Sequence, residues 1–287
     1  MMKIFDKRGG MESHLQAIRQ SGKKIGYVPT MGALHQGHLS LIEASKTQTD
    51  YTVASIFVNP TQFNNPEDFR LYPSRPEQDL SMLREAGCDL VFMPTTEEIY
   101  PDGQKSEAVY ELGNLETILE GKFRPGHFQG VCQVVDKLLN AVNPDILFLG
   151  QKDLQQCKVI EKLLTVTGRT NRTKLVICPT MREPDGLAMS SRNLRLKQKD
   201  REKASFIYKG LVDLKNAYKK SSFDQERKSI INQLEENGFL VEYLELVDND
   251  TLEIQEDWNS NRSLSVCIAA YLSDIRLIDN MNLHTIQ

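Results

Sequence analysis

The sequence predicts an α/β fold, a doubly wound parallel sheet followed by a smaller α+β domain, and three observations carry that reading. Short β-branched and aromatic runs alternate with amphipathic stretches of helical length between residues 23 and 178. The polar residues of most chemical interest follow directly after the strand-like runs, where sheets of this kind bind ligands. Beyond about residue 183 the texture turns to helices rich in Lys and Glu and then to strands.

The elements follow in order. Residues 11–20 read as a short polar helix. Residues 23–29 (KKIGYVP) read as a strand entering a glycine-containing turn, and 38–48 as a helix with Leu39, Leu41, Ile42 and Ala44 on its apolar face. The run 51–58 (YTVASIFV) has the composition of a buried parallel strand. A polar stretch rich in Pro and Asn covers 59–76. A helix near 77–87, a strand at 89–93, a helix over 127–141 and a strand at 145–150 (DILFLG) continue the alternation. In the 127–141 helix Val131, Val134, Leu138 and Leu139 form the core face. A helix over 152–166 and a strand at 174–178 complete the series, which implies right-handed βαβ crossovers. Helices at 198–219 and 224–237 and strands near 240–247 and 264–271 make up the second domain. The boundary lies in the loop MREPDGLAMSSRN, where Pro184, Asp185 and Gly186 supply turn chemistry, giving domains 1–183 and 184–287.

Bulk properties exclude several function classes. The 287 residues are 40% hydrophobic and 26% charged, ordinary globular values. A formal net charge of −4 gives no electrostatic case for binding nucleic acid or an anionic membrane. Five cysteines, at 88, 132, 157, 178 and 267, form no CxxC pair and point to a reducing compartment. No secretory signal and no apolar run of bilayer length is present, so the expected location is cytoplasmic.

The sharpest chemical signal is Pro29-Thr30-Met31-Gly32-Ala33-Leu34-His35-Gln36-Gly37-His38. It stands between a strand and a helix, where backbone N–H groups and the helix dipole favour a phosphate. Gly32 and Gly37 let a nucleotide approach the backbone. His35 and His38 lie three apart, on one face of the helix start, where two imidazoles could offset charge on a departing pyrophosphate. By itself, a pair of histidines so spaced reads more readily as an ordinary surface pair. Asn59, Gln62 and Gln156 are neutral amides at strand ends or helix starts, suited to a small substrate with hydroxyls and a carboxylate. Lys152 at a helix start is electrostatically misplaced for the helix, which suggests service to a phosphate. Ser190, Ser191 and Arg192 combine hydroxyls with a guanidinium, a clamp for phosphate oxygens, although serines capping a helix beside a surface arginine would look the same.

PTMGALHQGH resembles the HxGH signature of the nucleotidyltransferase and class I aminoacyl-tRNA synthetase superfamily. Together with FVNPTQF (57–63), RPGHFQG (124–130), LGQKDLQQ (149–156), REPDGLAMSSRN (182–193) and RLIDN (276–280), it resembles the pantothenate synthetase (pantoate–β-alanine ligase) family over nearly the whole chain. The resemblance implies a Rossmann-like domain that binds ATP and pantoate, and a C-terminal domain that closes over the site. It implies ATP contacts at Met31, Gly32, Ala33, Leu34, His35, Gln36, Gly37 and His38, at Gly150, Gln151, Lys152 and Asp153, and at Met181, Met189, Ser190, Ser191 and Arg192. The family usually has Glu where this chain has Gln151. Gln62 and Gln156 would hold pantoate, with Gln62 reaching towards β-alanine; Asn59, Arg124 and His127 would bind substrate or shape its cavity. Asp79 would meet Mg2+, and the chain would form a homodimer.

The implied reaction condenses (R)-pantoate with β-alanine through a pantoyl-adenylate, releasing pyrophosphate and then AMP. His35, His38, Lys152 and Arg192 would carry the catalysis by position and charge. Closure of the 182–193 loop would keep water from the adenylate. A nucleotidylyltransferase of the same superfamily would explain HxGH but not FVNPTQF, and a silent ATP sensor would have no use for all four of those residues. A tRNA synthetase would need a basic surface that the composition does not supply.

Overall fold

The computed structural model describes residues 1–64, 66–103, 108–258 and 262–283. The chain divides into two compact units, one of residues 1–151 and 156–179, the other of 152–155 and 180–287.

The first unit is built on a six-stranded sheet whose pairings are all parallel. Its strands are β1 (Lys3–Phe5), β2 (Ile25–Thr30), β3 (Tyr51–Ile56), β4 (Leu90–Phe92), β5 (Ile146–Gly150) and β6 (Lys174–Cys178), in the order β1-β4-β3-β2-β5-β6. Five of these are the expected strands. β1 is not expected, because three residues, KIF, make no run that a sequence pattern would register; it gains its strand character only by pairing with β4. From β2 the chain winds outward through β3 and β4, then returns to lay β5 and β6 on the other side of β2. The order therefore reverses between β2 and β5. In an open α/β sheet that reversal leaves a crevice at the carboxyl ends of the strands, and the loops leaving β2 and β5 are those beginning at Met31 and Gln151.

In the helix Gln36–Gln48 the expected face is buried at Leu41 and Ile42 but only half-buried at Leu39 and Ala44, whereas the helix before β5 buries its expected face fully. In the helix His127–Val142, Val131, Val134, Leu138 and Leu139 are 5% exposed or less. Gly130 in this helix has to be glycine, because a Cβ there would lie 2.3 Å from the Thr61 carbonyl oxygen. That close approach seats the helix against the 3₁₀ turn Pro60–Gln62.

The second unit carries an antiparallel sheet of β7 (Phe239–Asp248), β8 (Ile254–Gln255), β9 (Leu264–Leu272) and β10 (Ile275–Asn282), in the order β10-β9-β7-β8. The expected strands near 240–247 and 264–271 are β7 and β9; β8 and β10 are additional. The single helix read over 198–219 is two, Gln198–Ala204 and Phe206–Ala217, broken at buried Ser205. Trp258, 2% exposed, packs edge-on against Phe223 and Tyr218 and donates its indole N–H to the Ser221 carbonyl at 2.7 Å. No helix among the described residues is long and apolar enough to cross a membrane.

Candidate functional site

In the first unit the loop after β2 is held in a conformation that its own backbone would not choose. Gly32 lies at φ +82° and Ala33 at φ +49°, the left-handed region that disfavours a residue with a Cβ. Asp79, 2% exposed on the helix Pro76–Glu85, holds them there: Oδ2 accepts the Ala33 N–H at 2.9 Å and Oδ1 the Leu34 N–H at 2.8 Å. A carboxylate with one amide on each oxygen is a strong, charge-assisted anchor. This is a different use of Asp79 from the expected magnesium contact. Among the described residues no group of three or more His, Cys, Asp or Glu side chains is placed to hold a metal ion.

The loop delivers the chain into the helix Gln36–Gln48, which starts two residues earlier than its apolar pattern suggests. The reason is a reciprocal cap made by the two histidines. His35 is the N-cap; its Nδ1 accepts the Gly37 N–H at 3.1 Å, and Nδ1 of His38 accepts the His35 N–H at 3.3 Å. This is the logic of a capping box, with imidazoles in both roles. A ring nitrogen that accepts a hydrogen bond carries no proton, so each neutral ring bears its proton on Nε2. The rings lie 4.1 Å apart between centroids, tilted by 40°. Two N–H donors of fixed tautomer thus stand side by side at a helix N-terminus.

A second cluster follows β3. Asn59 is 1% exposed, and its side chain is spent inside the protein. Its Nδ2 donates to Gln62 Oε1 at 3.2 Å and to the Gly130 carbonyl at 3.1 Å, and its Oδ1 accepts from the Tyr100 hydroxyl at 2.8 Å and the Thr61 hydroxyl at 3.1 Å. Asn59 therefore orients Gln62, where the sequence suggested a substrate contact. His127, 5% exposed, has Nδ1 2.7 Å from the Gln62 carbonyl oxygen and so fixes the same residue by its backbone. Gln62 Nε2 donates to Met31 Sδ at 3.0 Å, which joins this cluster to the loop after β2. Arg124 is 3.6 Å from Glu120 Oε2. Gln156 is half-buried at the start of the helix Leu154–Val166. A cleft of about 440 Å³ opens beside the loop, lined in part by Met31, Gly32, Val58, Ser74 and Asp79; neither histidine nor Gln62 lines it.

The remaining expected residues, apart from Gly150 at the end of β5 and Gln151 directly after it, belong to the second unit. Lys152 lies in a 3₁₀ turn, Gln151–Asp153, ahead of the helix Leu154–Val166, so the expected helix over 152–166 begins later. Its ammonium is 3.7 Å from Asp153 Oδ1. Residues 181–189 form a hairpin in which Met189 N–H donates to the Met181 carbonyl at 3.0 Å, and Arg182 bridges to Ala188. Ser190 caps the 3₁₀ turn Ser191–Arg195, its hydroxyl accepting the Arg192 N–H at 3.3 Å. Ser191 is buried and Arg192 half-buried.

Three residues to which the sequence assigns no role organise these segments: Tyr100, and Arg182 and Asp279 within their quoted motifs. Tyr100 secures Asn59. Arg182 and Asp279 form a two-pronged ion pair, Nη1 to Oδ2 at 2.6 Å and Nη2 to Oδ1 at 3.0 Å. Burial pushes the Asp279 carboxyl above the ordinary range, and Arg182 opposes that rise without cancelling it. The partners stand 97 residues apart, so no local pattern could have paired them.

A family model described as Pantoate-beta-alanine ligase matches residues 3–282. The chain is 45% identical over 273 residues to the pantothenate synthetase of Cytophaga hutchinsonii, covering 93% of this chain and 94% of that protein. Its fold is similar to the crystal structure of pantothenate synthetase from Thermus thermophilus, with a TM-score of 0.91 and 36% identity over 99% of this chain and 100% of that one. It is also similar to pantoate-beta-alanine ligase from Francisella tularensis, solved with beta-gamma ATP and beta-alanine, with a TM-score of 0.83 and 38% identity over 99% of both chains.

Proposed function

The chain belongs to the pantoate-beta-alanine ligase family, and from that premise we propose the route by which it makes pantothenate from pantoate and β-alanine. The ATP and β-alanine named with the Francisella relative are carried over to this chain as substrates. The observation that carries the mechanism is the reciprocal histidine cap. With each Nδ1 engaged by a backbone N–H, the two Nε2–H groups are donors set in place before any substrate arrives, and preorganised donors stabilise charge without reorganising.

The first step joins a pantoate carboxylate oxygen to the α-phosphorus of ATP as the bond to the β-phosphate oxygen breaks. Pyrophosphate leaves, and its growing charge falls to His35 and His38, with Lys152 and the Ser190–Ser191–Arg192 segment as further phosphate ligands. In the second step the β-alanine nitrogen attacks the acyl carbon and the acyl–oxygen bond breaks. AMP departs, and the amine gives up a proton. Gln62, fixed by Asn59 and His127, holds pantoate, and Gln156 joins it. Closure of the 182–193 loop excludes water from the mixed anhydride.

Magnesium enters this reading only as the companion of ATP. Both Asp79 oxygens are engaged by loop amides, which does not fit a protein-held metal, and no step is routed through one. Assembly as a homodimer and a cytoplasmic location complete the proposal. The five cysteines are all buried and none is in a disulfide, which suits a reducing compartment, and sedimentation analysis tests the dimer.

The decisive experiment omits β-alanine. With pantoate, ATP and magnesium alone, the protein should exchange labelled pyrophosphate into ATP, because the first step needs no amine. Addition of β-alanine should then release AMP and pantothenate in equal amounts. A folded, ATP-binding preparation without pantoate-dependent exchange would sink the adenylate route.

A further inference from the structure

RLIDN, the last motif of the ordered set, has no part in the chemistry above, yet the second unit spends it on a single task. β10 places Asp279 and Asn280 side by side, each 4% exposed. The Asn280 side-chain amide donates from Nδ2 to the backbone carbonyl of Lys152 at 2.9 Å, across 128 residues of sequence. Asn280 is itself held from two directions: its N–H donates to Asp279 Oδ1 at 2.7 Å, and its carbonyl accepts from Arg182 Nη2 at 3.3 Å. Arg182 closes the set. Besides gripping Asp279, it donates from Nη1 to the Gly186 carbonyl at 3.1 Å, and its guanidinium lies 4.6 Å from the centroid of the Tyr208 ring.

The same arginine begins the hairpin that runs into Ser190, Ser191 and Arg192, and Asn193 Nδ2 donates back to the Ala188 carbonyl at 3.0 Å. One ion pair, buried on its carboxylate side and half-buried at the arginine, therefore fixes two things at once: the backbone that carries Lys152, and the base of the segment that carries Arg192. Both cations sit on long, flexible side chains, and their usefulness to a phosphate depends on where their backbones stand. Positioning errors of about 1 Å at such groups cost on the order of a hundredfold in rate.

We propose that Asn280, locked by the Arg182–Asp279 pair, is a positioning residue that sets Lys152 for pyrophosphate departure. The inference rests on the phosphate role given to Lys152 above, so its test has to separate the two. The test is a double-mutant cycle on pantoate-dependent pyrophosphate exchange with Asn280→Ala, Lys152→Ala and both together. Asn280→Leu, of similar volume and without the donor, runs in the same cycle so that a folding defect from a cavity is not mistaken for a catalytic one. Expected is a fall in exchange rate of roughly fivefold to tenfold for either Asn280 variant, the range one hydrogen bond supports. The KM for pantoate should hold, and there should be no further fall when Lys152 is already alanine. Equal losses in both backgrounds would overturn the positioning role and leave Asn280 as a support of the fold. A Lys152→Ala protein that exchanges at the parent rate would instead overturn the phosphate reading of the lysine, and this inference with it.

Discussion

Replacing Asp79 by asparagine separates an anchor from a metal ligand. The carboxylate accepts Ala33 N–H on one oxygen and Leu34 N–H on the other. An asparagine of the same size keeps one acceptor and turns an NH2 group towards the second amide, so donor faces donor in a site 2% exposed. One charge-assisted bond is lost, worth roughly 1.5–3 kcal/mol, the surviving one becomes neutral, and a buried N–H is left to find another partner. The loop also holds Ala33 at φ +49° against a conformational cost of about 1–2 kcal/mol. Together these suggest that either the fold weakens by roughly 2–4 kcal/mol or the loop lets go, whichever costs less. If the fold bears the loss, the melting temperature of a unit of this size should fall on the order of 10 °C. If the loop lets go instead, the melt will change little, and pyrophosphate exchange will collapse because the histidine cap no longer stands where the strand delivers it. Ala33→Gly in the Asp79→Asn background should recover part of either loss, since glycine accepts that φ freely. The assay is thermal melting alongside pantoate-dependent exchange, each across a range of magnesium. A variant that melts and exchanges like the parent would refute the anchor. A defect repaired by excess magnesium would show that the carboxylate serves the metal after all.

Other substitutions test the remaining assignments. His38→Ala should lower kcat on the order of 10²–10³-fold, whereas His38→Gln should keep the melting temperature, because Gln at this helix position can still accept the His35 N–H; steady-state kinetics and melts on the pair show whether ring or cap matters. Arg192→Ala should abolish exchange while leaving pantoate affinity within about threefold of the parent by calorimetry without ATP, since a lost phosphate contact weakens charge stabilisation and not substrate binding; a large loss of pantoate affinity would mean that the two sites have been exchanged. Asp248 gives a pH signature. Burial pushes its carboxyl up, but N–H bonds from Thr251 and Asp250, the Thr251 hydroxyl and Arg262 outweigh it and hold the group below its ordinary value of 3.8. The stability it contributes is present above that value and lost as pH falls through the lower folded one, so Asp248→Asn should flatten the acid limb of a melting-temperature profile below about pH 4; an unchanged limb would contradict the assignment.

The parts of the fold that were legible in the sequence are those whose physics is local. Runs such as YTVASIFV and DILFLG announce buried parallel strands because both faces must be apolar. The 127–142 helix announces itself by the spacing of Val131, Val134 and Leu138. β1 and β8 were not legible, because three and two residues carry no period and become strands only through their partners. The break at Ser205 was hidden for a related reason: the polar helix pattern runs on across it.

The candidate site shows the same limit in a sharper form. Sequence marks residue type, and at a strand end Asp, Asn, His and Lys all look like ligands. What separates a ligand from a support is whether the polar atoms are already spent, and that depends on contacts between distant residues. Asp79 spends both oxygens on amides 45 and 46 positions away, Asn59 reaches Gly130 and Tyr100, and His127 reaches back to Gln62. His35 and His38 are the instructive exception. Their cap is local, within four residues, and it occupies Nδ1 while leaving the identity of the donor at Nε2 fixed. In this helix start each histidine has its tautomer set by a backbone N–H within three residues, so the residues that matter to the chemistry and the contacts that orient them lie in the same short stretch of sequence.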